Sequence, residues 1–183
     1  MESVVEGSSY GPTKVVPCYK TQLSHTLLSP SFAKVSVIQA ATTEDLTELS
    51  RLYVAYRIFY GEAPEEQRAA AFILDRLTHS SGRYFLAWNG RDAIGFMHLM
   101  PSTNTLAMRP IWLLEDLYVD VTARGQGVAT ALLSHAEAFA RSTGAERLTL
   151  ATAHDNLAAQ HIYKKLGYVR EDHFVYFHRL LEP

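Results

Sequence analysis

The sequence predicts an α+β domain built on a mixed sheet, and three observations predict it. Strand-like and helix-like stretches follow one another in the order βααβββαβαββ, as read from apolar periodicity. Asn89-Gly90 stands between two strand-like runs and strongly favours a tight hairpin, so those runs are antiparallel neighbours. Further on, the run at 114–119 passes through a glycine-rich join into a helical repeat and then into another strand-like run. Two strands joined by one helix lie parallel, which makes the sheet mixed.

Taken in order, residues 1–34 are rich in Ser, Thr and Gly, with Pro12, Pro17 and Pro30 at no fixed period. Val15-Val16 and Leu27-Leu28 are too short to seed a core, so this stretch reads as an extension, flexible or laid against another subunit. The domain proper is 35–183. A first strand at 35–38 precedes Thr42 or Thr43, either of which serves as a helix N-cap with Glu44 and Asp45 in the first turn. Leu46, Leu49, Tyr53, Tyr56 and Tyr60 then mark one helix face ending at Gly61. Pro64 opens a second helix whose buried side is Ala70, Phe72, Ile73, Leu74 and Leu77. Strands follow at 84–88, 93–100 and 111–119, with 101–110 as a loop closed by proline. The next helix runs to Ser142 and stops at Gly144. A strand at 147–153, a helix at 156–166 ended by Gly167 and a closing strand at 174–181 fill the order up to its final strand, to which no separate stretch is assigned.

Composition narrows the function classes. With 183 residues, 48% of them apolar, the chain supports one core and hence one domain. A net charge of -2 gives no general attraction to nucleic acid or to an anionic membrane. Cys18 is the single cysteine, which excludes an internal disulfide and a cysteine-rich metal site and fits a reducing compartment. His135, His154, His161 and His173 show no metal-ligand spacing, so no metal is expected. No apolar run reaches membrane-span length and the N-terminus lacks signal-peptide character, so the expectation is a soluble cytoplasmic protein.

The chemistry concentrates at 114–129. Leu114, Leu117, Tyr118 and Val119 read as a strand carrying Glu115 and Asp116. Arg124-Gly125-Gln126-Gly127-Val128-Ala129 then leads to Ala131, Leu132, Leu133, Ala136 and Phe139 at helical spacing. Amides at a helix start, together with the positive end of its dipole, favour an anion, and glycines let phosphate oxygens approach. A pyrophosphate is the natural guest. The Gly-Lys-Ser/Thr ending of a triphosphate loop and the three-glycine dinucleotide fingerprint are both missing. Glycine between a strand and a helix also serves plain turn geometry, and the residues alone leave that alternative open.

Arg124-x-x-Gly127-x-Ala129 resembles the Arg/Gln-x-x-Gly-x-Gly/Ala signature of the GNAT family of acyl-CoA-dependent N-acetyltransferases. The flanks agree: Leu148-Thr149-Leu150-Ala151 looks like the family's next strand, and the segment from Asn156 through Tyr163 and Gly167 to Tyr168 is similar to its Asn-x-x-Ala-x-x-x-Tyr-x-x-x-Gly-Phe/Tyr segment. The resemblance spans roughly 35–181 and implies the GNAT acyltransferase fold with acetyl-CoA as cosubstrate. It implies a pantetheine arm along Leu117, Tyr118 and Val119, and a pyrophosphate on Gly125, Gln126, Gly127, Val128 and Ala129 with Arg124 as a nearby cation. The acetyl carbonyl would then sit at the Val119 N–H, which would polarise it. Asn156 either caps its helix or bonds the pantetheine amides.

Attack by an amine on a thioester needs a proton acceptor, because a primary amine is mostly ammonium at neutral pH. Glu115 is the first candidate, since Leu-Glu-Asp-Leu-Tyr-Val is similar to the strand of the spermidine/spermine N-acetyltransferases in which the glutamate is assigned this role. Asp116 falls on the opposite face of a regular strand, so one of the pair should meet the acceptor. Tyr163 is the candidate acid. A thiol's pKa lies near ~8.5, so a tyrosine hydroxyl within reach stabilises or protonates the departing thiolate without an extreme pKa shift.

Arg57, Tyr60 and Glu62, at the junction of the first two helices, are candidates for substrate contact along with Asp116. Acidic Glu62, Glu115 and Asp116 would suit a cationic acceptor. The expectation is therefore acetyl transfer to a small polyamine-like amine, with a protein lysine as runner-up. Two further classes, a non-catalytic acyl-CoA sensor and an assembly module, remain beside it. A homodimer is expected from family habit and from the apolar stretch at 174–177, which could pair across a two-fold.

Overall fold

The structure, a computed structural model, describes residues 35–79, 81–175, 177 and 179–181. The extension at 1–34, with Cys18, lies outside the described residues. The elements are β1 (Val37–Ala40), α1 (Leu46–Phe59), α2 (Glu66–His79), β2 (Arg83–Asn89), β3 (Asp92–Asn104), β4 (Arg109–Val119), α3 (Val128–Ser142), β5 (Leu148–Leu150) and α4 (Leu157–Lys165). Five strands form one sheet in the order β1-β2-β3-β4-β5. The first three pairs are antiparallel and β4–β5 is parallel, so the α+β class and the mixed sheet stand as expected.

Local signals explain most boundaries. Thr42 and Asp45 form a reciprocal capping box around a single 3₁₀ turn, Thr43–Asp45, which leads into α1. Gly61, at φ 83°, ends α1 in the left-handed conformation that a side chain resists. At the far end of the chain, the Tyr168 N–H reaches back to the Tyr163 carbonyl across Gly167 and closes α4.

The sheet carries a core on each face. On one side Leu114, Leu117 and Val119 meet Val128, Ala129, Leu132, Leu133 and Ala136 of α3, with Ala159 and Tyr163 of α4 in the same cluster. On the other, Phe96, Leu86, Tyr84 and Tyr118 meet Leu49, Leu52 and Tyr56 of α1 and Ile73 of α2. Fully burying one such Leu or Ile side chain is worth roughly 1.5–3 kcal/mol. The two layers therefore hold β4 from both sides.

Three boundaries depart from expectation. The loop expected at 101–110 is mostly sheet, because β3 and β4 stay paired out to Asn104 and Arg109. The β2 partner ends at Arg83 opposite Leu99, so Pro101 lies beyond it and its missing N–H breaks no bond to β2. The strand expected at 147–153 is only Leu148–Leu150, since its pairing with β4 stops at Leu114, one residue before an irregularity. The closing strand expected at 174–181 does not form among the described residues, and Phe174, Val175, Phe177, Leu180 and Leu181 are exposed. A three-residue β5 offers a short edge on which to pair.

Candidate active site

The irregularity in β4 organises the site. Asp116 pairs with His98 and Leu114 with Leu99, which leaves Glu115 as an extra residue in the strand. The bulge reverses side-chain parity, so Leu114 and Leu117, three positions apart, share the α3 face. Glu115 and Asp116 consequently line one and the same cavity on the α1–α2 side. The expectation that a regular strand would turn the two carboxylates to opposite faces is thereby corrected. The reason is the inserted residue, which the alternation rule does not anticipate.

That cavity, about 400 Å³, is lined by Tyr53 of α1, Phe72 and Arg76 of α2, Tyr84 of β2, His98 and Met100 of β3, and Leu113, Glu115 and Asp116 of β4. Asp116 accepts the Tyr56 hydroxyl at 2.6 Å and lies 3.3 Å from His98 Nδ1. Burial, followed by the charge of Asp116, pushes the Glu115 carboxyl above its ordinary range, and His98 pulls modestly the other way. A carboxylate so tuned holds a proton more tightly than a surface glutamate. Burial first, and the Asp116 charge second, push the Tyr56 and Tyr84 phenols up as well, so both stay protonated.

On the opposite side of β4 a second cavity of about 200 Å³ is bounded by Val119, Ala123, Arg124, Gly125, Gly127, Val128, Ala129, Thr130 and Ile162. Gly125 and Gly127 sit at φ 74° and 82°, which is why glycines stand there. The first intrahelical bond of α3 runs from the Ala131 N–H to the Gly127 carbonyl, so the amides of Val128, Ala129 and Thr130 precede the ladder. They meet the positive end of a 15-residue helix. Anion binding is what this arrangement offers.

Between the two cavities the β4–β5 pair opens. Pairing ends at Leu114 and Leu150, so residues 115–119 continue beyond β5 with that side of the backbone facing a gap. The Val119 carbonyl accepts Arg124 Nε at 3.0 Å, and the next amide, Asp120 N–H, turns back to Ile94 on β3. N–H and C=O groups of one residue leave a strand on the same side, so the Val119 N–H points away from β3 and into the gap. Tyr163 stands in the same apolar cluster, 6% exposed, its hydroxyl without a hydrogen-bond partner among the described residues. A buried donor left unpaired is costly, and it marks a place where a ligand atom would be satisfied.

A model of the acetyltransferase (GNAT) family matches residues 46–168. The chain belongs to that family. The GNAT chain is 36% identical over 140 residues to the uncharacterized N-acetyltransferase YhfO of Bacillus subtilis, spanning 76% of this chain and 94% of that one. It is 25% identical to an aminoglycoside N(6')-acetyltransferase type 1 of Stenotrophomonas maltophilia, over 82% of this chain and 97% of that one. Among solved structures, a probable acetyltransferase superposes with a TM-score of 0.75 at 34% identity, covering 80% of this chain and 99% of that one. Acetyl transfer of the GNAT type is therefore its activity, and acetyl-CoA is the family's cosubstrate.

The residues fit that cosubstrate: open amides over two left-handed glycines, a strand edge facing a gap, and a lone buried phenol beyond. Among the described residues no group of three or more His, Cys, Asp and Glu could hold a metal ion, and no helix is long and apolar enough to cross a membrane. Val119, Arg124, Gly125, Gly127, Val128 and Ala129 line one cavity. Arg124 is placed by more than charge, since its guanidinium lies over the rings of Phe59 and Tyr118. Leu117 and Tyr118 send their side chains into opposite cores, so only backbone from them faces the gap. The Gln126 side chain donates to the Thr122 carbonyl and pins the turn.

Other candidates take different places. Asn156 occupies the N-cap position of α4, yet its side chain makes no capping bond and its amide donates to Thr152 Oγ1 instead. Arg57 pairs with Glu65 at 2.7 Å and donates to the Ala63 carbonyl, which ties α1 to the turn before α2; neither it nor the exposed Glu62 lines the cavity that holds Glu115 and Asp116. Tyr60 is half-buried, its phenol pushed up by burial and then by Asp116. The Tyr163 phenol is raised first by burial, then by Tyr60 and Tyr168. That departs from the expectation of no extreme shift, and Tyr163 keeps its proton. Sequence reasoning missed His98, although a lone histidine inside the apolar run Gly-Phe-Met-His-Leu-Met was a visible signal.

Proposed function

We propose that the protein transfers an acetyl group from acetyl-CoA to the primary amine of a small cationic, polyamine-like compound. The observation that carries the reading is the two-sided β4: a bulge turns Glu115 and Asp116 into one aromatic-walled cavity, while the same strand shows its Val119 amide to the gap on the donor side. Two carboxylates among Tyr53, Phe72 and Tyr84 suit an ammonium group, by charge and by cation–π attraction.

The roles follow from position. Amides of 127–129 and Arg124 hold the diphosphate, and the backbone of 117–119 orients the arm. The acetyl-CoA thioester supplies an activated acyl carbon. Asp116 anchors the ammonium, Glu115 accepts its proton, the Val119 N–H polarises the carbonyl, and Tyr163 Oη donates to the departing sulfur. Proton acceptance at a partly buried site of this kind is worth about 10²–10⁴-fold in rate.

A second reading, the amino group of an aminoglycoside, is favoured by the Stenotrophomonas relative. A panel of diamines, polyamines, aminoglycosides and lysine peptides, assayed by CoA release, separates them. Polyamines turning over fastest is the expected result; turnover on aminoglycosides or peptides alone would overturn the acceptor assignment.

We extend the proposal to a homodimer in the cytoplasm, supported by exposed Phe174, Val175 and Phe177. A light-scattering mass of one chain would remove the dimer, and recovery in a membrane fraction would remove the compartment.

A further inference from the structure

His98 belongs to no motif, yet it sits in a buried cluster with Tyr84 and Asp116. It is 7% exposed, and its ring lies flat on Tyr84 with centroids 4.0 Å apart and planes 1° from parallel. Nδ1 faces Asp116 Oδ2 at 3.3 Å, while Nε2 has no hydrogen-bond partner among the described residues. Gly82 closes over Nε2 so nearly that an added Cβ would stand 2.7 Å from it. A carboxylate only accepts, so the proton of a neutral His98 belongs on Nδ1. Asp116 Oδ1 is held by the Tyr56 hydroxyl. Both oxygens of Asp116 therefore carry a fixed donor, and among the described residues no such clamp holds Glu115 beside it.

We propose that His98 is a positioning residue of the transfer: its Nδ1–H pins the Asp116 carboxyl group in place beside Glu115, so that Glu115 alone collects the proton released by the acceptor amine. The inference rests on the reading of Glu115 as proton acceptor. One proton passes from the ammonium to Glu115, the amine nitrogen bonds to the acetyl carbon as the carbon–sulfur bond breaks, and the second nitrogen proton ends on the CoA sulfur. The groups that face the pair are Tyr53, Tyr56 and Tyr60 from α1, Arg76 from α2, Tyr84 from β2 and His98 from β3. Among them His98 and Tyr56 are the two that bond Asp116 directly. The direction in which Asp116 moves the Glu115 carboxyl agrees with this division of labour.

The test compares His98→Leu, which fills the space without a donor, with His98→Asn, which restores one near Nδ1, each in the native chain and in the Glu115→Gln chain. With the fastest amine of the panel, His98→Leu lowers kcat about ten-fold or more with KM for acetyl-CoA unchanged. His98→Asn recovers most of the loss, and neither change matters further once Glu115 is Gln. Equal losses in both backgrounds, Asn no better than Leu, or full activity of His98→Leu would overturn the proposal. A second arm needs no acceptor. Nitrogen NMR of the wild type shows the Nδ1–H tautomer, and carboxyl carbon NMR shows the Glu115 midpoint rising in His98→Leu, as the ring that draws it down is removed. An Nε2–H tautomer or an unmoved midpoint overturns the proposal even where transfer to the amine holds, whereas absent turnover with both NMR results as expected removes only the reading of the acceptor.

Discussion

The two cavities on either side of β4 are built from different materials. In the proposed reading the donor cavity is lined mainly by one contiguous stretch within residues 123–130, with the strand end before it and Ile162 beside it. The acceptor cavity is made of side chains drawn from α1, α2, β2, β3 and β4, which meet only because the sheet is folded. A backbone cradle tolerates changes that keep the turn and fails when φ is altered. A side-chain cavity keeps its shape only as long as each separate element is in place. In the proposed reading, specificity for the amine is assigned to the second and affinity for the nucleotide to the first.

The sharpest way to break that division is Glu115→Gln. It removes a proton acceptor from one cavity and nothing from the other, so kcat is expected to fall by about 10²–10⁴-fold while acetyl-CoA still raises the melting temperature. Steady-state kinetics and a thermal-shift titration together check it. A lost thermal response would mean that the cavities are not separable.

Gly127→Ala attacks the other side. An added Cβ meets no atom within 4 Å, so the whole cost is backbone conformation at φ 82°, about 1–2 kcal/mol. Calorimetry should record that loss of stability. KM for acetyl-CoA should rise while KM for the amine and the pH profile stay put.

The pH dependence sharpens the comparison further. The Glu115 carboxyl is raised by burial and by Asp116, so kcat/KM should climb with pH through a midpoint above the ordinary carboxylate range. Asp116→Asn removes one of the two causes and should move that midpoint down. A midpoint unmoved in this variant would detach the two carboxylates from each other.

The smallest expected effect is on stability. A carboxyl whose folded-state pKa is raised binds protons better folded than unfolded, so its contribution is favourable below the unfolded pKa and is lost as pH rises through the folded one. Glu115→Gln should therefore melt slightly higher than the native chain at neutral pH, with the difference gone below the ordinary carboxylate range. Melting curves across pH settle it, and a variant less stable at neutral pH would contradict the sign.

The order of helices and strands was legible because each element announces itself locally. The three- and four-residue spacing from Leu46 to Tyr56 gave α1, and Asn89-Gly90 gave the β2–β3 turn, at φ 61° for Gly90. The donor cavity was legible for the same reason, since 124–129 is contiguous and its glycines have a backbone purpose. Glu115 was named from a resemblance, but its side-by-side placement with Asp116 was not foreseen. A bulge depends on how β3 meets β4, and neither strand alone records it.

By itself, then, the sequence determined the element order as far as α4, the left-handed glycine turn and a helix start suited to an anion, because those depend on neighbours a few residues away. Only the tertiary structure decided that Tyr56, His98 and Asp116 form one hydrogen-bonded chain, that both carboxylates share a wall, and that β4 parts from β5 after Leu114. These depend on register between strands and on packing from both faces of the sheet, quantities set by contacts between residues distant in the chain.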